Sequence, residues 1–330
     1  MPADPAAHAP EALEQEAAIR FEHVSKAYGD TAAVHDLNVA VRRGELVVLL
    51  GPSGCGKTTT LRMINRLERP TAGRVLVNGT DVASQEPETL RRGIGYVIQA
   101  TGLFPHLTVG QNVEVVPRLL GWPRARRRAR ARELLALVGL EPDTYAERFP
   151  HDLSGGEQQR VGVARALAAD PPILLMDEPF GAVDPLTRDR LQGEFQELQR
   201  SLRKTVVFVT HDLDEAVRLA DRVCLMRDGA VEQYAPPQEL LSAPANEFVQ
   251  QFVGPLRALK RLGRLRVSEL LRPSRRADDY EGSVGAETDL RTALAELLQL
   301  GASRLAVVDE AGRHLGELRL ADIVALGDGG

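Results

Sequence analysis

Cysteine is nearly absent from this chain. Only Cys55 and Cys224 occur in 330 residues, with no CxxC spacing and no histidine cluster beside them. A disulfide framework and a zinc ribbon are thereby excluded, and a reducing compartment fits. Aromatics are scarce at 4%, and 41 Lys plus Arg nearly balance 46 Asp plus Glu, leaving a net charge of -5. A nucleic-acid partner, which calls for a basic surface and stacking aromatics, is argued against on both counts. Long apolar runs are missing too. The longest aliphatic stretches are the size of Leu46–Leu50, far below the roughly 18 to 20 residues of a membrane-spanning helix. Residues 1–18, rich in Ala, Pro and Glu, have neither the basic nor the apolar segment of a secretory signal, and read as a disordered leader. What remains, 43% hydrophobic and 26% charged, is the composition of a globular chain with room for one large domain and a small one.

Apolar runs at Leu46–Leu50, 94–98, Ile173–Met176 and 206–209 alternate with longer helical patterns. Such runs predict strands buried on both faces of a largely parallel sheet, hence an α/β domain. Segments 19–24, 34–41 and 74–77, the last followed by Asn78-Gly79, predict antiparallel strands at its edge. A cluster of Arg and Lys after Gly254-Pro255 marks an expected linker at 255–266. Beyond it, a helical pattern over 290–300 between short apolar runs predicts a small α+β unit at 267–326. A core of that size is small for independent stability, so this unit is expected to pair with something.

The strand Leu46–Leu50 leads into Gly51-Pro52-Ser53-Gly54-Cys55-Gly56-Lys57-Thr58, which satisfies GxxxxGK[ST] in the strand-to-helix context that a phosphate loop needs. Glycines let the backbone wrap a phosphate, and the helix behind turns free N–H groups and its positive dipole end toward it. The loop from Ser53 through Gly54, Cys55, Gly56 and Lys57 to Thr58 and Thr59 is therefore the candidate ATP-binding segment. Lys57 is placed to reach the β and γ phosphates and Thr58 to ligate Mg2+. Cys55 fills the loop without a matched base, which argues against a nucleophile. A second strand, Ile173–Met176, ends in Asp177-Glu178. Asp177 is expected to hold Mg2+ and Glu178 to orient or deprotonate the attacking water.

Leu153-Ser154-Gly155-Gly156-Glu157-Gln158-Gln159-Arg160 closely resembles the signature of ABC transporter ATPase subunits. In the same pattern, and in order, Tyr28 resembles the aromatic residue that stacks adenine, Gln99 the Q-loop glutamine, Asp184 the D-loop aspartate and His211 the switch histidine. The resemblance covers 19–254 and implies a P-loop ATPase core with a helical subdomain at about 100–165. It further implies ATP and Mg2+ as cofactors, with Thr58, Gln99 and Asp177 around the metal and Glu178, His211 and Gln99 in catalysis. In that family two subunits pack head to tail. The Ser154, Gly155, Gly156 and Gln158 site of one copy is then expected to cover the γ phosphate held by Lys57 of the other. His106 and His151 have no such positional support.

The segment from Gln99 through Phe104-Pro105-His106-Leu107 to Val113, together with Pro237–Leu241 and Pro244–Val249, is similar to ATP-binding subunits of bacterial importers for quaternary amines: glycine betaine, choline and carnitine. That resemblance implies two membrane permease subunits and a periplasmic or lipid-anchored binding protein as partners, and a peripheral place on the cytoplasmic face of the bacterial inner membrane. An importer of another solute, such as an amino acid or organic anion, and a soluble ABC ATPase of repair or translation stay open. Thr288-Asp289-Leu290, Gly301 to Asp309, Gly312, Gly316 and Asp322 resemble a single cystathionine-β-synthase (CBS) motif. Such motifs work in pairs, so pairing with the copy in a second subunit is expected. Arg319 stands where many such motifs carry Ser or Thr, which argues against an adenosine ligand. The arginines from Arg124 to Arg132 read as a solvated helix face or a contact with anionic lipid.

Overall fold

The computed structural model describes residues 17–98, 102–181, 188, 192–197, 199, 204–263, 265–274, 280–309 and 311–327, with the backbone alone described at 255–261 and 326–327. The chain divides into two compact units, 1–249 and 250–330. Gln99, Asp184 and all but the last two residues of the expected leader lie outside the described residues. Ala17 and Ala18, placed by sequence in that leader, already belong to a strand that buries Ala18, Ile19 and Phe21.

The first unit holds two sheets. One is antiparallel, in the order β2 (Thr31–Arg42), β1 (Ala17–Tyr28), β4 (Ala72–Val77), β5 (Thr80–Asp81). Tyr28 pairs with Thr31 across Gly29-Asp30, and Val77 with Thr80 across Asn78-Gly79. Asn78 and Gly79 both take positive φ, 51° and 79°, as the tight hairpin turn expected of Asn-Gly requires. The other sheet runs β10 (Ala230–Ala235), β9 (Arg222–Arg227), β3 (Leu46–Leu50), β8 (Thr205–Val209), β7 (Ile173–Asp177), β6 (Ile94–Val97). Its pairs are parallel except for β9–β10. Every residue of β3, β7 and β8 is buried, so these strands read as unbroken apolar runs rather than as alternation.

Between β6 and β7 the chain is helical, chiefly at Val109–Val113, Arg124–Leu137 and Gly155–Leu167. The arginine-rich helix is partly neutralised along its length. Arg127, Arg130 and Arg132 pair with Glu114, Glu133 and Asp143 at 3.1, 2.6 and 2.6 Å, and Arg126 lies 3.6 Å over the Trp122 ring.

The second unit places β11 (Ser283–Gly285) parallel to β12 (Arg304–Val308) and β12 antiparallel to β13 (His314–Arg319). The helices Leu290–Leu300 and Leu320–Gly327 follow β11 and β13. Its core gathers Val267, Val284, Leu290, Leu297, Leu305, Val307, Leu318 and Ile323. Gly316 is required by space, since a Cβ there would stand 2.2 Å from the Arg272 carbonyl. Arg272 also grips Asp322 with both arms of its guanidinium, at 2.7 and 2.6 Å. The expected linker at 255–266 is corrected. A helix spans Glu247–Leu262, because Phe248, Phe252, Leu256, Leu259 and Leu262 keep helical spacing through Pro255.

Candidate functional site

The loop 51–56 is shaped by close approaches at two of its three glycines. Gly51 and Gly56 have φ of 146° and 97°. A Cβ at Gly51 would lie 2.2 Å from the Met226 carbonyl oxygen, and one at Gly56 would lie 2.3 Å from that of Ala33. No side chain fits at either place. The turn at Gly229 clamps the loop from outside, its N–H donating to Cys55 O at 3.2 Å and its carbonyl accepting from His35 N–H at 2.8 Å. The antiparallel sheet thereby meets the parallel one at the phosphate loop. Tyr28 is half exposed at the hairpin that opens β2, and Lys26 Nζ sits 4.7 Å from its ring centroid.

Lys57 opens the helix Lys57–Ile64 and is buried. Its ammonium donates to the carbonyls of Gly51 at 2.7 Å and Pro52 at 2.8 Å. The positive charge is held inside the curl of the loop, where a phosphate would be cradled. One residue on, the Thr58 hydroxyl donates to Asp177 Oδ1 at 3.0 Å, joining two positions 119 residues apart. Asp177 is buried at the end of β7, and burial raises its carboxyl above the ordinary range while the Thr58 hydrogen bond pulls it back. Cys55 is buried, which pushes its thiol up against the opposing pull of Lys57. Cys224 is pushed up to about 12 by burial. Neither is activated as a nucleophile.

The strand ends are laced together. Glu178 N–H donates to Val209 O at 3.0 Å, and Thr210 N–H to Leu49 O at 3.2 Å. Glu178 itself takes a left-handed backbone, φ 45°, uncommon for a residue with a side chain. The turn sets its Oε1 3.2 Å from His211 Nδ1. Thus β3, β7 and β8 deliver Lys57, Asp177, Glu178 and His211 to one edge of one sheet, where open α/β sheets present their binding groups. Among the described residues no group of three or more His, Cys, Asp or Glu side chains is gathered for a metal ion. The Thr58–Asp177 pair suits instead a hard cation such as Mg2+, which takes few protein oxygens and shares the rest of its shell with phosphates and water.

Ser154 caps the helix Gly155–Leu167 in a capping box with Glu157. Its backbone N–H and its hydroxyl donate to Glu157 Oε2 at 2.7 and 2.8 Å, and Tyr145 OH donates to Glu157 Oε1 at 2.6 Å. The Tyr145 hydrogen bond, ahead of those from Ser154, holds the Glu157 carboxyl below its usual range. Gly155 is exposed, with nothing within 4 Å of where a Cβ would stand, leaving the helix N-terminus open to an approaching anion. Gln158, expected with Ser154, Gly155 and Gly156 in the site presented to a second copy, stands near the start of the same helix. Its amide donates to Pro150 O and Leu153 O at 3.0 and 3.2 Å and ties the preceding turn to the helix.

Because the box needs Glu157 ionised, its stabilisation is present above the ordinary glutamate pKa and fades as pH falls through the lowered value. Glu157→Ala is expected to lower stability by about 0.3 to 1.5 kcal/mol at neutral pH. The gap from wild type should shrink in acid. Urea unfolding at both pH values checks this, and a pH-independent gap would refute it.

Sequence reading missed Glu215, buried on the helix Leu213–Leu219 beside Ala216 and Leu219. Burial raises its carboxyl, opposed by hydrogen bonds from Thr210 and Gln192. The available signal was its spacing, an acid four residues before Leu219 on the apolar face.

The chain matches the ABC transporter family over residues 34–181. It is 49% identical to the glycine betaine uptake system ATP-binding protein YehX of Escherichia coli, over 93% of this chain and 99% of that one. It is 55% identical to the glycine betaine/carnitine/choline transport ATP-binding protein OpuCA of Bacillus subtilis over 73% of this chain, and 54% identical to the choline transport ATP-binding protein OpuBA of the same organism. The matched part spans 64% of the length of each of those two Bacillus relatives. Among solved structures, a dimeric ATP-binding cassette in a post-hydrolysis state with ADP and Pi is similar at 36% identity, with a TM-score of 0.60 over 66% of this chain and 98% of that one. The cbiO1 subunit of the cbiONQ transporter complex of Clostridium perfringens is similar at 27% identity, with a TM-score of 0.65 over 74% and 99%.

Proposed function

Since the chain belongs to the ABC transporter family of ATP-binding proteins, we propose that it is the ATP-hydrolysing subunit of an importer for quaternary-amine osmoprotectants such as glycine betaine, choline and carnitine. The observation that carries the ATPase reading is the meeting of Lys57, the Thr58–Asp177 pair and the Glu178–His211 pair at one sheet edge. The substrate class is supported by the similarity to the glycine betaine and glycine betaine/carnitine/choline transport proteins YehX and OpuCA.

In this reading the loop amides and Lys57 bind the phosphates of ATP, and Tyr28 stacks the adenine. Thr58, Asp177 and Gln99 would hold Mg2+, which offsets the charge gathering on the phosphate oxygens during transfer. Glu178 accepts the proton of the attacking water, and His211 holds Glu178 and the γ phosphate in line. The Ser154–Gly156 helix start of a second copy closes over the γ phosphate, so ATP joins two copies and hydrolysis parts them. Two membrane permease subunits and a periplasmic or lipid-anchored binding protein complete the assembly, with this subunit at the cytoplasmic face of the membrane. Uptake of labelled glycine betaine and choline by cells carrying this subunit with its permeases is expected to rise with it and to be absent without it. Uptake of an amino acid instead would move the proposal to another solute class.

The second unit is proposed as one CBS-like motif that pairs with its copy in the other subunit and regulates turnover. The Arg272 fork already occupies Asp322, which supports a role other than adenosine binding. Removal of 267–330 is expected to change dimerisation or the osmotic response of the ATPase. Sedimentation and turnover identical to the full chain would oppose it.

A further inference from the structure

Glu178 and His211 follow different strands, β7 and β8, and their 3.2 Å contact is only as well defined as the packing behind those strand ends. Two clasps lie there. One is apolar. Phe180, two residues after Glu178, packs against Phe195 and Phe208 with ring centroids 6.3 and 5.9 Å away. The other is polar and buried. Gln192 Nε2 donates to Glu215 Oε1 at 2.9 Å, and the Thr210 hydroxyl hydrogen-bonds the same carboxylate. Gln192 is buried, like Thr210 and Glu215. Arg218 Nη1 approaches Gln192 Oε1 at 3.4 Å, and Gln196 Nε2 donates to the Arg218 carbonyl at 2.8 Å. Asp212 closes the turn, receiving the Glu215 N–H at 3.1 Å while its own N–H donates to Thr210 Oγ1 at 3.0 Å.

The residue immediately before His211 is therefore pinned through Glu215 to the segment 192–197, and that same segment is pinned through Phe195 to the chain that carries Glu178. A buried carboxylate is costly to keep without such partners, and a shared pair of donors makes its position stiff. We propose that Glu215 is a positioning residue of the ATPase site, fixing the spacing of His211 from Glu178 through Thr210 on one side and Gln192 on the other. Glu215 touches neither nucleotide nor water in this scheme. It acts through His211 alone.

The inference rests on the ATPase reading above, and a double-mutant cycle separates the two. Steady-state ATP hydrolysis by the full chain is measured for wild type, Glu215→Leu, Glu215→Gln, His211→Ala and the double variant Glu215→Leu with His211→Ala. Glu215→Leu is expected to lower kcat about tenfold with KM for ATP within about twofold, because binding groups on the phosphate loop are untouched. Glu215→Gln, which keeps the shape and one accepting oxygen, is expected to recover most of that loss. In the His211→Ala background, Glu215→Leu should cost nothing further. A merely structural role would lower activity equally in both backgrounds, and that outcome overturns the proposal. Wild-type kcat in Glu215→Leu also overturns it, while leaving the ATPase reading standing. Absence of hydrolysis in the wild type would remove both. Should Glu215→Leu fail to fold, Gln192→Leu breaks the clasp from the other side and is read against the same criteria.

Discussion

Glu178→Gln is expected to lower ATP turnover by about 100- to 10,000-fold while leaving ATP binding intact, the range that loss of a general base produces. The side chain keeps its length and its contact with His211, so the glutamine can still face the water but cannot take its proton. Binding without hydrolysis should leave ATP lodged between two copies, since in the proposed cycle only hydrolysis parts them. The measurement is turnover beside size-exclusion chromatography with ATP. The expected result is a dimer peak that persists in the variant and is transient in the wild type. Turnover at the wild-type rate would take Glu178 out of the base role. A fall in turnover with no ATP-dependent dimer would instead question the shared site.

Lys57→Ala acts on the other half of the cycle. The Lys57 ammonium is buried on the Gly51 and Pro52 carbonyls, already stripped of water and aimed into the loop. Its contribution to phosphate binding is that of charge-assisted hydrogen bonds, about 1.5 to 3 kcal/mol. Its loss should weaken ATP binding by roughly 10- to 150-fold. Titration of a fluorescent ATP analogue checks this, and retained tight binding would contradict it. The substitution also frees two loop carbonyls, which Gly51 and Gly56 hold by backbone shape rather than through the lysine, so the loop is expected to keep its form.

Much of this arrangement was legible in the residues, and the reasons differ from place to place. Strands β3, β7 and β8 show as unbroken apolar runs because both faces are covered. Lys57 and Thr58 show because they close the glycine loop that leaves β3, and Asp177 and Glu178 because they stand at the end of β7, so strand order gathers them. Asn78-Gly79 shows because only a few residues adopt that turn. The end of the first unit did not show. Gly254-Pro255 reads as a break, yet the apolar spacing on either side carries the helix through to Leu262. The contacts of Gln158 did not show either: two residues beyond Gly156, its side chain falls back on the turn before it and finds the Pro150 and Leu153 carbonyls. Glu215 was hidden because its partners, Thr210 and Gln192, lie on separate segments that only the folded sheet brings near.

The pairing of β3 has a consequence for how the chain is made. This strand carries the phosphate loop, but its neighbours are β8, with Leu46 opposite Val206, and β9, with Val47 opposite Arg222. Both are synthesised long after it. At a ribosomal pace of about 5 to 20 residues per second, the strand waits on the order of 10 to 30 seconds for its first partner. During that time five consecutive aliphatic residues, Leu46–Leu50, have no sheet to enter. The nascent chain is thus most exposed to aggregation before residue 205 emerges, and a chaperone that shields the β3 segment should matter more to the yield of this protein than one acting on the finished fold.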